Sequence, residues 1–162
     1  MRIGRLVSGL AVVGLAATLG SCSLIGGSNQ TTPRDPNSSI TASQVIDPFS
    51  VQLGDCLMQP ADETFSDLTV VGCNQAHDAE ITNIFDMPDG SFNQDDVTAA
   101  GEQCEAAAET YVGPHYADLG LDWNYFSPTS DSWADGDREI DCIIYTLSGN
   151  PDLTSSTKGQ GN

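Results

Sequence analysis

The pattern of apolar and polar positions divides the chain into stretches of different character. An apolar run extends from Leu6 to Leu19, after Arg2 and Arg5 and before Gly20, Ser21 and Cys22. Residues 23–45 are small and polar, with two prolines and no sustained period, which is the composition of a flexible tether. Four runs rich in Val, Ile, Leu and Phe follow at residues 50–57, 67–73, 79–85 and 138–147, each bounded by Gly, Asp or Asn. These runs predict strands. In the last, Ile140, Cys142 and Ile144 share one face while Ile143, Tyr145 and Leu147 share the other, so the strand is central and covered on both sides. Residues 93–114 predict one helix, with Asn93 as N-cap, Asp95 and Asp96 at the positive end of the macrodipole, and Gly113–Pro114 as the stop. Val97, Ala100, Cys104, Ala107, Ala108 and Tyr111 recur at three and four spacing, one stripe that turns Cys104 to the core.

The N-terminus decides the redox compartment. A short apolar run behind two arginines is a secretory signal peptide. Its end, "LGSC", resembles the bacterial lipobox, which implies cleavage before Cys22 and acylation of the Cys22 thiol. Acyl chains contribute about 0.8 kcal/mol per buried methylene, so such a chain needs no spanning helix to stay at a membrane. The predicted location is the cell membrane, lipid-anchored on the extracytoplasmic face, where disulfides persist. Five cysteines less Cys22 leave four, with three connectivities. Cys104 on the helix stripe and Cys142 on the central strand are natural partners, and Cys56 with Cys73 would join the ends of two strand-like runs.

The predicted organisation is a signal peptide at 1–21, lipidated Cys22 and tether at 22–46, a folded domain at 47–149 and a disordered polar tail at 150–162. The domain is read as α+β, a small antiparallel or mixed sheet with one main packed helix and two disulfides.

Charge narrows the partners. Five basic against 23 acidic side chains give a formal charge of -18; without Arg2 and Arg5 the mature chain has 3 against 23, or -20. Such a surface repels nucleic acid and anionic headgroups. Arg138 is the one Lys or Arg between Asp35 and Thr157. A bidentate pair with Asp78 or Glu80, with Trp133 stacked on the guanidinium, would tie the "AHDAE" turn to the "GDRE" turn.

"CNQAHDAE", Cys73 to Glu80, gathers the side chains a zinc centre or hydrolase recruits. A disulfide at Cys73 removes the thiolate, and His77 and His115 lack zinc-ligand spacing. Asn74 and Asp78 read as turn residues, and His77 with Glu80 as a docking surface for Arg138. The stretch from Asp131 to Cys142 matches a calcium loop at Asp131, Asp135 and Gly136, but places Trp133 third and Cys142 twelfth, so it fails. There is no Gly-x-Ser-x-Gly elbow, phosphate loop or dinucleotide fingerprint. No catalytic residue, metal ligand or cofactor is predicted.

Taken in order, "GDC", "C-x-x-x-H-D-x-E", a cysteine-bearing helix and "W-x-x-G-D-R-x-x-x-C" resemble the septum formation domain of bacterial cell-surface proteins, from about Leu53 to Leu147. Gly72 and Ala76 depart from it, standing where many relatives would have proline. The resemblance carries over the four cysteines, His77, Glu80, Trp133, Gly136, Asp137 and Arg138 as structural residues. It implies a part in septum formation or envelope biogenesis, and with no catalytic motif the chain is read as a non-enzymatic envelope protein. Its partners are then the membrane, through Cys22, and envelope or division proteins. The alternative is a sensor or binding module that takes a cation, cationic peptide or small ligand on the acidic face.

Overall fold

The computed structural model describes residue 34 and residues 40–60, 66–150 and 152–162. The signal segment, Cys22 and most of the tether lie outside the described residues. Six strands form one sheet: β1 (Gln44–Ile46), β2 (Cys56–Met58), β3 (Leu68–Val71), β4 (Ala79–Asp86), β5 (Leu121–Phe126) and β6 (Glu139–Thr146). Their order is β1-β3-β2-β4-β6-β5, with every neighbouring pair antiparallel. The α+β reading holds, and the sheet is antiparallel rather than mixed.

β6 lies between β4 and β5, and its two faces divide as the alternation predicts. Ile140, Cys142 and Ile144 join the apolar clusters under the helices. Ile143 and Tyr145 join a separate cluster with Leu57, Leu68, Val70 and Ile81. Leu147 lies beyond the strand and is exposed. A register shift between Ile81 and Asn83 in β4 exchanges the faces. Glu80 and Phe85 therefore both look toward the helices, although five positions apart, while Ile81 and Ile84 look the other way.

The predicted helix is a helical run of two segments, α1 (Gln94–Gly101) and α2 (Cys104–Tyr111). The Asn93 side chain caps it by accepting from the Asp95 N–H at 2.9 Å. At the junction the Gln103 N–H bonds the Ala100 carbonyl at 3.1 Å, a tighter turn than the α-helical one. Gly101 sits at this junction because a Cβ there would collide with the Tyr125 ring of β5. The close approach lets Cys104 reach Cys142, with Cα atoms 5.1 Å apart, and Cys56 pairs with Cys73 at 5.2 Å. Both predicted disulfides are found. Each contributes roughly 3–4 kcal/mol in the chain-entropy view.

Both predicted ends of the domain need correction. Residues 44–46, read as tether, form edge strand β1, and Ile40 is buried in the core. Arg34 grips the buried Asp55 with two hydrogen bonds of 2.5 and 2.7 Å, so the fold reaches back past residue 47. The tail, read as disordered, is bonded along the domain. Leu153 exchanges both backbone hydrogen bonds with His77, the Gly159 N–H bonds the Tyr111 carbonyl, and the Gly161 N–H bonds the Val112 carbonyl. Gly113, at φ 124, gives Gly161 room to lie against it. A polar sequence is ordered here because its donors meet buried acceptors. β5 was not predicted either, since Asp122 and Asn124 interrupt its apolar positions.

Candidate functional site

The predicted site residues separate into two structural knots. The first is built on Glu80, whose side chain β4 turns beneath α2. It is fully buried and accepts four hydrogen bonds, none from a cation. The Tyr111 hydroxyl donates at 2.8 Å and the Ser156 hydroxyl at 2.6 Å, while the Thr157 N–H and hydroxyl each donate at 2.6 Å. Desolvation, and then the neighbouring Glu80 carboxylate, hold the Tyr111 hydroxyl above its ordinary titration range, so it remains a donor. The Lys158 ammonium lies 5.6 Å from the centre of the Tyr111 ring. His77 is equally buried and its Nδ1 donates to the Gln75 carbonyl at 2.8 Å. Asp78 accepts from the distant Gln59 N–H at 2.5 Å, a tie between strand ends rather than a local turn bond. Cys56, Cys73 and Glu80 have ligand atoms within 4.8 Å of one another, but both sulfurs are spent in the disulfide.

The second knot corrects the partner of Arg138. The guanidinium does not meet Asp78, Glu80 or His77. It lies 3.8 Å from the Trp133 ring centre, as the stacking expectation had it, and donates to the Trp133 and Asp137 carbonyls at 2.9 and 2.5 Å. Its ion pair is with Asp89, 3.3 Å from Nε and almost wholly exposed, so that pair contributes little. The Trp133 indole donates to the Gly90 carbonyl at 2.9 Å and meets Phe92 edge to face. Gly136 takes φ 103, and Asp137 accepts from Ser132 and from the Glu139 N–H. The knot joins the loop after β4 to the turn between α3 (Ser130–Ala134) and β6. Arg138→Lys is expected to cost about 1 kcal/mol, because an ammonium cannot both stack flat and donate in a fork. Thermal circular dichroism should show a fall of roughly 3–5 °C; unchanged melting would mean the stack stabilises nothing.

Neither knot leaves a reactive group open, but a groove at the β5 edge of the sheet, lined from both its faces, borders a buried carboxyl. It has a volume of about 1020 Å³, and its lining includes Phe49, Phe126, Thr129, Asp137, Glu139 and Asp141. Asp141 lies on β6 opposite Ile84 of β4 and Phe126 of β5. It is only 5% exposed, and its Oδ1 is buried without a hydrogen-bond partner. Burial pushes the Asp141 carboxyl up to about 8, and the carboxylates of Glu139, Asp137 and Asp86 add to the rise. Glu139 is also raised, by burial first and then by Asp86 and Asp137. Sequence reading does not single out Asp141, although an aspartate set between Ile140 and Cys142 and followed on its own face by Ile143 and Tyr145 is a visible signal.

A family model described as septum formation matches residues 21–142. No curated protein and no solved structure matches the chain. The match ends at Cys142, so the tail that closes over Glu80 lies outside it.

Proposed function

Because the chain belongs to the septum formation family, we propose that it serves septum formation as a lipid-anchored, extracytoplasmic and non-enzymatic module of the envelope. Membership supports a part in septum formation and cell division. The observation that supports the non-enzymatic part of the reading is the fate of the motif residues. His77 and Glu80 are sealed under the tail, and Trp133, Gly136, Asp137 and Arg138 lock a turn, which supports reading them as a scaffold. Two disulfides in a domain of this size fit an oxidising compartment. No described helix is long and apolar enough to cross a membrane, and the anchor in this reading is the acylated Cys22.

Cys22→Ser tests the anchor. In fractionated cells the wild-type chain is expected in the membrane pellet, labelled by palmitate and degraded by protease added to spheroplasts. The variant should be unlabelled and leave the pellet. A variant that stays membrane-bound to the wild-type extent would sink the lipid anchor. Immunofluorescence in dividing cells should give a mid-cell band, and an even peripheral signal would remove the septal role.

A further inference from the structure

We propose that the groove over Asp141 is a binding site for a primary alkylammonium group, of the kind a lysine side chain carries, held by Asp141 and Glu139 with its alkyl stem against Phe126 and Phe49. A buried carboxylate needs a counter-charge or a set of donors, and Oδ1 of Asp141 has none. The chain's own cations are placed elsewhere. After the signal segment there are three, Arg34 on Asp55, Arg138 on Trp133 and Lys158 on Tyr111. Uncharged, Asp141 keeps its proton; to ionise near neutral pH it needs a cation, and none of these three lies beside it.

The geometry favours an organic cation over a compact ion. Among the described residues, Asp137, Glu139 and Asp141 do not bring their oxygens within 4.8 Å as a set; the one trio that does is Cys56, Cys73 and Glu80. A bare divalent ion takes six or more oxygens, whereas an ammonium head has three donors and is served by one or two carboxylates. The aromatic walls suit a methylene stem and add attraction for the cation. Phe49, 61% exposed at the rim, is an apolar surface that such a stem would cover.

Binding is coupled to a proton. Below neutral pH Asp141 holds its proton, and the arriving cation must displace it. The groups facing Asp141 are Asp86 from β4, Glu139 on its own strand and Asp137 in the preceding turn, with Asp47 elsewhere on the groove lining. All are acidic, so each strengthens the hold on a cation as it ionises. The inference does not depend on the anchor, since the groove lies wholly within the domain.

The test is isothermal titration of the full chain in detergent with n-pentylammonium, Nα-acetyl-lysine amide, n-pentanol and calcium. Saturable binding of either ammonium probe at pH 9 is expected. It should weaken by about tenfold or more at pH 6, and its heat should vary with the buffer as protons are released. Preference for the lysine amide would point to a peptide source and preference for n-pentylammonium to a free amine. Asp141→Asn, checked for its fold by circular dichroism, should abolish binding. Three results would each overturn the site: no saturable binding of either ammonium probe, n-pentanol binding as well as n-pentylammonium, or undiminished binding by the variant. Calcium binding that needs Asp141, without ammonium binding, would assign the groove to a metal instead.

Discussion

Glu80→Ala is expected to be the most damaging single substitution outside the cysteines, lowering unfolding free energy by about 3–5 kcal/mol. It deletes one carboxylate but orphans four donors: the Tyr111, Ser156 and Thr157 hydroxyls and the Thr157 N–H. Each buried polar group left without a partner costs about 1–3 kcal/mol, and release of the tail to water recovers part of the total. Urea unfolding measures the loss. A local readout is available because Lys158, the one lysine in the chain, lies directly after Thr157. Cleavage there by a lysine-specific protease should be slow in the wild type and fast in the variant. An unchanged urea midpoint together with unchanged cleavage would show that Glu80 does not hold the tail.

Asp141→Asn should act in the opposite direction, and only at high pH. The folded-state carboxyl titrates at about 8 against 3.8 for the ordinary group, so the native state keeps a proton that the unfolded state has lost. Its contribution is fully present below about pH 4 and declines as pH rises to about 8, beyond which no more is lost. The limiting slope is about 1.4 kcal/mol per pH unit, and partial solvation reduces the whole to a few kcal/mol. The asparagine variant carries no such proton. Urea midpoints at pH 5, 7 and 9 should fall more steeply for the wild type, with the variant more stable at pH 9. Parallel pH profiles would refute a strained Asp141.

The elements legible in the sequence are those whose pattern repeats within one segment. The two-sided alternation from Ile140 to Tyr145 gave the central strand, and the Val97–Tyr111 stripe gave both the helix and the facing of Cys104 toward Cys142. β5 was hidden because Asp122 and Asn124 depress strand propensity, although Leu121, Trp123 and Tyr125 alternate correctly. For Arg138 the sequence makes the aromatic partner legible and not the acid. Trp133 lies five residues away on the same turn, whereas the choice among Asp78, Glu80 and Asp89 depends on how distant strands are registered. The tail was misread for the same reason, since Ser156 and Thr157 become fixed only through an acceptor more than seventy positions away.

The Arg34–Asp55 pair also sets a length scale. With Cys22 as the proposed membrane anchor, twelve residue steps separate it from Arg34, the first side chain bonded to the domain among the described residues. Twelve steps of backbone reach at most about 40 Å. The domain is then moored within that reach of the bilayer. On the proposed anchor, an ammonium group fixed to the surface or wall could fill the groove only within that distance of the bilayer, whereas a free amine would have no such limit.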